Sequence, residues 1–152
     1  MDAARDFFLR FDGRLRRRDV WVGAFALTVA TALLALALLP LLGGRWTSLL
    51  VNAALVWPLL AIGTKRFKDW GRDPRPRLLA YLGPAVLLTA LEHLTIGYYW
   101  RHGIAWPKGL VPNLFSMVAL LLGAIGLFEC LFMPGEPGRN RYGPDPRIPP
   151  TD

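Results

Sequence analysis

VWVGAFALTVATALLALALLPLL, from Val20 to Leu42, runs for 23 residues without one ionisable side chain. A hydrocarbon core of about 30 Å needs roughly 20 residues at about 1.5 Å rise each, and only helices or closed barrels satisfy their backbone groups there. The run does not alternate as a barrel strand would, so it reads as a membrane-spanning helix. Working outward, Trp46 to Thr64 gives another 19 uncharged residues. Leu78 to Trp100 is apolar but interrupted by Glu92 and His93, and Leu110 to Met133 carries one acid, Glu129. The pattern predicts an all-α membrane protein with four transmembrane helices over 20–42, 46–64, 78–100 and 110–133. Together these form one transmembrane domain, 20–133, between a basic interfacial segment, 1–19, and a Pro/Gly-rich tail, 134–152.

Composition agrees. Hydrophobic types make up 53% of the 152 residues and charged types 19%, with a net charge of +7. A mean hydropathy of +0.32 excludes a disordered chain and is high for a 17.0 kDa soluble domain. The positive charge is unevenly placed. Fifteen of the 18 Lys and Arg fall before the first run, between the second and third runs, or in the tail; only Arg45, Arg101 and Lys108 fall in the other connections. Because basic flanks stay on the cytoplasmic side, a multi-pass chain with both termini inside is expected. Trp21 and Tyr81 at one boundary, and Trp46, Tyr98, Tyr99, Trp100 and Trp106 at the other, read as interfacial belts.

Before the first run, Phe7, Phe8, Leu9, Phe11 and Leu15 are interleaved with Arg10, Arg14 and Arg16 to Arg18. Such a mixture suits a bilayer boundary, with rings among acyl chains and arginines on anionic lipid headgroups. Orientation accounts for these arginines, so a nucleic-acid partner is not expected. The run after them is too long for a signal peptide and lacks a polar region before a cut. Thr64 to Arg77 reads TKRFKDWGRDPRPR, a compact charged loop in which Gly71, Pro74 and Pro76 stop a helix. The tail, with six prolines and three glycines in 19 residues, cannot form a packed unit alone. The single cysteine, Cys130, excludes an internal disulfide and reads as an apolar filler.

Three separated segments carry a resemblance: FDGRLRRRDVW (Phe11 to Trp21), AIGTKRFKDWGRDP (Ala61 to Pro74) and MPGEPGRNRYGPDP (Met133 to Pro146). In order and placement they resemble the small bacterial inner-membrane proteins of the domain of unknown function 805 family. The matching positions are Gly13, Arg14, Arg17, Trp21, Arg66, Asp69, Gly71, Pro134, Gly135, Gly138, Asn140, Tyr142, Gly143 and Pro144. Arg16 stands where the family pattern has Ser, Lys68 where it has His, and Pro74 near its Ser-Gly-Trp. The resemblance implies an integral protein of the bacterial inner (plasma) membrane and assigns no activity. All three segments lie at the same ends of the predicted spans, so they are expected to assemble at one cytoplasmic surface. There Asp69 would meet Arg66 or an arginine of the Arg14 to Arg18 group, and the tail would lie across them.

Catalytic signals are sparse. The chain has two histidines, His93 and His102, and no H-E-x-x-H, C-x-x-C or Gly-rich phosphate loop. Glu92 and His93 are adjacent and do not share a helix face. The chain therefore reads as a non-enzyme with no cofactor and no metal. A carboxylate within a span is costly and calls for a role. Counting helical rise inward from Trp100 puts Glu92 about 12 Å deep, level with Asn52 and close to Asn113 and Ser116. Glu129, at the opposite end, should pair with a basic residue at the inner interface. The expected function is that of a structural or accessory membrane component, with the lipid bilayer and a homo-oligomer or membrane-protein partner as its contacts. The alternative is a small oligomeric transporter or channel subunit that uses Glu92.

Overall fold

A computed structural model describes residues 2–148. Met1 of the interfacial segment and the last four residues of the tail, 149–152, lie outside the described residues. In chain order the elements are α1 (Asp2–Leu9), α2 (Arg17–Asp69), α3 (Pro74–His93), β1 (Tyr98–Arg101), β2 (Ile104–Pro107) and α4 (Leu110–Phe132). The fold is thus mostly helical, with one small antiparallel hairpin that the apolar pattern did not foresee.

α2 is built largely from Ala and Leu, the strongest helix formers, but it is not straight. Gly43 has φ 72° and ψ 167°, outside helical space, and divides the element into limbs 17–42 and 44–69. That conformation is essentially restricted to glycine. Its consequence is a reversal, which brings Val20 of the first limb and Ile62 of the second into one core with Leu15 and Leu131. The two expected helices, 20–42 and 46–64, therefore correspond to these limbs. A Cβ on Gly44 would meet the Gly103 backbone, so the tip of the β-hairpin rests against the reversal.

α3 starts where its sequence dictates. Pro74 occupies the first turn, and the Asp73 side chain accepts from the Arg75 amide at 3.0 Å, which caps the helix. It ends at His93, seven residues before the expected boundary at Trp100. The stretch Tyr98–Arg101 is strand, paired Tyr99 to Trp106 and Trp100 to Ala105. Positive φ at both His102 (52°) and Gly103 (77°) gives the tight two-residue turn that matches strand twist. Aromatic and apolar residues continued the hydrophobic run of α3, but their β preference and the glycine turn end the helix. Tyr98, expected in an interfacial belt, is buried instead, with its hydroxyl against Pro112 O at 3.0 Å and Ser116 Oγ at 2.9 Å.

The four helical stretches, counting the two limbs, run alternately up and down. Small residues permit close approach: the Gly126 position sits against the Tyr81 ring, and Gly63 against Leu78. Arg77 and Tyr81 of α3 both reach Glu129 of α4, at 3.1 and 3.0 Å, so Glu129 has the basic partner the sequence called for. Among the described residues, α2 and α4 are long and apolar enough to cross a membrane. α3, with Arg75, Arg77 and Glu92 near its ends, is not one of them.

Among the described residues, burial is concentrated at the end of the bundle where α1, the end of α2 and the tail segment after α4 meet. There Ala61 to Phe67 form an unbroken buried run, whereas Leu33, Leu36 and Leu41 on the first limb of α2 are more than 60% exposed. The N-terminal segment belongs to this buried end. Phe7 and Phe8 pack on the Leu15, Val20, Ile62 and Leu131 core, with the Phe7 ring against Gly23. Rings expected among acyl chains are thus used in the fold, while Arg10 stays exposed.

Candidate functional site

Among the described residues, the most highly charged buried place surrounds Asp69, the last residue of α2. Its carboxylate is 3% exposed and receives two guanidinium groups. Arg14 Nε and Nη2 both lie 2.9 Å from Oδ1, and Arg66 Nη1 donates to Oδ2 at 2.7 Å. Arg66 is three residues before Asp69, one helical turn, so the helix itself sets that pair. Arg14 comes from the extended segment between α1 and α2, which leaves α1 through Gly13 at φ 86°.

Two cations around one anion leave a net positive charge, which must be solvated by dipoles because it is out of water. Main-chain carbonyls supply them. Arg14 Nη1 donates to Gly138 O at 2.7 Å and Gly143 O at 3.3 Å, and Nη2 to Glu136 O at 2.6 Å. Arg66 Nε donates to Cys130 O at 2.9 Å, Nη1 also reaches Leu15 O, and Nη2 binds Met133 O. Burial lowers the Arg66 pKa from its ordinary value, and the adjacent Asp69 charge opposes that shift. A planar, five-donor guanidinium suits this role; a lysine has three donors and no fork.

The tail is fitted to this clasp. Glu136 N donates to Asp69 O at 2.8 Å. A Cβ at Gly135 would land on the Asp69 carboxylate, so only glycine allows the tail to cross there. Asn140 Nδ2 donates to Lys68 O at 3.0 Å, its Oδ1 accepts from the Tyr142 amide at 2.9 Å, and Asn140 and Gly143 exchange backbone hydrogen bonds at 3.1 Å. Lys68 lies over the Tyr142 ring and donates to Phe11 O at 2.7 Å. On the other flank, Trp21 Nε1 donates to Leu131 O at 3.2 Å and Arg17 Nη1 to Phe132 O at 3.3 Å. Gly71, at φ 65°, turns the chain away from α2 beside Glu136.

Gly13, Arg14, Arg17, Trp21, Arg66, Asp69, Gly71, Asn140, Tyr142 and Gly143 are therefore brought together at one end of the bundle. Residues the sequence did not single out complete the cluster. Lys65 Nζ donates to Asp6 O at 2.8 Å and to Phe7 O, closing the carbonyl end of α1; burial lowers its pKa, against the raising effect of Asp6 and Asp12. Asp145 accepts from Gly138 N at 2.8 Å and from Arg147 Nε at 2.8 Å. Those bonds, the Arg147 side chain foremost, hold its carboxyl well below the usual carboxylate range. The short spacing of Asp145 and Arg147 was the available signal.

Asn52, Glu92 and His93 lie apart from this cluster and from one common network. Asn52 Nδ2 donates to Ser48 Oγ at 3.3 Å, and Asn113 Nδ2 to Gly109 O at 2.7 Å. The helical count from Trp100 does not apply to Glu92, because α3 ends one residue after it. His93 has Nδ1 2.8 Å from Thr89 O and Nε2 3.0 Å from Arg45 O, while Arg45 Nη2 donates to His93 O. These bonds tie the end of α3 to the start of the second α2 limb. Among the described residues, no group of three or more His, Cys, Asp or Glu side chains could hold a metal ion.

Comparison with protein families gives a match to the family described as protein of unknown function (DUF805), over residues 8–144. The chain is a DUF805 protein. The matched span takes in Arg14, Arg66, Asp69 and the tail through Pro144, so it includes the whole clasp apart from Asp145 and Arg147. No curated protein and no solved structure matches this DUF805 protein significantly.

Proposed function

We propose that this DUF805 protein is a multi-pass bacterial inner-membrane protein with four spans and both termini cytoplasmic, acting as a structural or accessory component without enzymatic activity of its own. The spans are the apolar stretches within the two α2 limbs (20–42 and 46–64), within α3 from Leu78 onward and within α4, and the clasp, which lies beyond Thr64, is on the cytoplasmic side. One observation carries the functional part. Arg14, Arg66 and Asp69 are engaged by one another and by carbonyls of this same chain, so the motif residues hold segments together and do not line a recess for a substrate. A rigid cytoplasmic face made from three segments is a platform for a membrane-protein partner or a second copy. The apolar exposed surface of α2 supports the membrane part: none of its most apolar 18-residue window is buried.

Reporter fusions after Asp152 and within Gly43 to Arg45 test the orientation. They should report opposite compartments, with the tail inside; a periplasmic signal at Asp152 refutes it. Affinity purification of the native membrane complex tests the accessory role, which predicts one stable, stoichiometric partner or a homo-oligomer. The runner-up reading is transport through Glu92. It is favoured by the fact that Asn52, Asn113 and Ser116 all bond elsewhere and leave the half-buried carboxylate to other uses. A proton-gradient-dependent flux in proteoliposomes that is lost on Glu92→Gln would establish it over the accessory role.

A further inference from the structure

A groove of about 930 Å³ runs between the 44–69 limb of α2 and α3. Its walls are apolar, formed by side chains such as Val56, Leu59, Leu79, Leu82 and Val86, and at the clasp end it is closed by one cation, Arg75. The polar groups on the walls are satisfied locally: Thr89 Oγ1 donates to Ala85 O at 3.0 Å and Asn52 to Ser48. The groove therefore offers hydrocarbon contact along its length and a single positive charge at its mouth.

Arg75 is exposed. The nearest acid in sequence, Asp73, accepts from the Arg75 main-chain amide, and the guanidinium makes no ion pair among the described residues; the arginines that do are Arg10, Arg14, Arg66, Arg77 and Arg147. From Arg75 to Ala90 the groove follows 16 residues of α3, 15 helical steps or about 22 Å at about 1.5 Å per step. Half of a hydrocarbon core is about 15 Å, so one leaflet's acyl chain fits within that length. A guanidinium at the headgroup level is the expected recognition element for a phosphate.

We infer that this groove seats one acyl chain of an anionic phospholipid whose phosphate is bound by Arg75. The inference rests on the membrane reading above. It gives the cytoplasmic face a specific lipid in place of a diffuse charge attraction. A second copy of the chain would have to bring a carboxylate of its own to Arg75, and native mass spectrometry distinguishes it from a lipid.

The test uses the full chain in nanodiscs of equal phosphatidylglycerol and phosphatidylcholine, released and weighed by native mass spectrometry. One phosphatidylglycerol per chain should be retained, and no phosphatidylcholine. Arg75→Gln, an exposed change that the fold should tolerate, should reduce retention at least tenfold. Ala53→Phe, which fills the groove wall and leaves Arg75 intact, should do the same. Leu120→Phe on the exposed face of α4 should retain lipid as the wild type does. Equal retention of both lipids, retention unchanged in Arg75→Gln and Ala53→Phe, or a dimer free of lipid would overturn the inference. Carbonate extraction separates the two levels: a chain in the membrane pellet that retains no phosphatidylglycerol refutes this inference alone, and a chain released to the supernatant refutes the membrane reading beneath it.

Discussion

Asp69 is where a single atom change should matter most. Its carboxylate stands between two guanidinium groups that are themselves buried. Removing one partner of a buried ion pair leaves charge uncompensated, at a cost of about 3–5 kcal/mol. Asp69→Asn, which keeps the shape, should therefore lower the melting temperature of the purified protein sharply. Arg10→Gln, which breaks an exposed pair with Asp6, should cost less than about 1 kcal/mol. Equal effects would contradict the burial argument. Asp145 makes a second prediction, in which pH is the variable. A carboxyl depressed on folding adds stability that is fully present above its ordinary value, here 3.8, and is lost as pH falls through the folded value. The melting-temperature gap between wild type and Asp145→Asn should stay constant from about pH 7 to about pH 5 and begin to narrow below about pH 4, continuing to shrink as the pH falls further. A gap that widens on acidification would exclude this role for the Asp145 contacts.

Among the elements, the reversal of α2 depends on two adjacent glycines for two different reasons. Gly43 supplies a backbone conformation, and Gly44 supplies space against Gly103. Gly43→Ala should cost about 1–3 kcal/mol through strain alone. Gly44→Ala should loosen the β-hairpin, read as faster amide exchange at Tyr99 and Trp106, which face each other in a hydrogen-bonded pair, while Gly43→Ala leaves that exchange close to wild type. If both variants behave alike, the hairpin tip does not rest on the reversal. The His93 and Arg45 bonds nearby explain why the end of α3 stays close to this turn even though the helix stops short of Trp100.

At the scale of the whole molecule, the proposed bilayer makes a prediction that a soluble fold would not. Leu36 is 69% exposed on the first limb of α2, far from the clasp. An exposed substitution in water is usually within about 0.5 kcal/mol of neutral, but an aspartate costs about 2.5–3.5 kcal/mol at the centre of a membrane helix, an upper bound for Leu36, which lies between the centre and the end of its run. Leu36→Asp should therefore reduce the amount of chain recovered in the membrane fraction severalfold. Unchanged recovery and stability would argue that Leu36 faces water.

The sequence by itself determined the helical character, the lengths of the apolar runs and the segregation of basic residues, because these depend on composition and one-dimensional spacing. It also pointed to Asp69 meeting Arg66 or one arginine of the Arg14 to Arg18 group, since charge sign and position at the same ends of the runs restrict the pairing, and the structure selects Arg14 together with Arg66. Only the tertiary structure decided which carbonyls the two guanidinium groups reach, because Cys130, Met133, Glu136 and Gly138 lie more than 60 residues from Arg66 or more than 120 from Arg14. The strand Tyr98–Arg101 could not be separated from the apolar run before it, as helix and strand share the same residues there and the partner strand settles the choice. The same holds for Phe7: an aromatic beside arginines suits a lipid boundary or a protein core, and the space left by Gly23 placed it in the core.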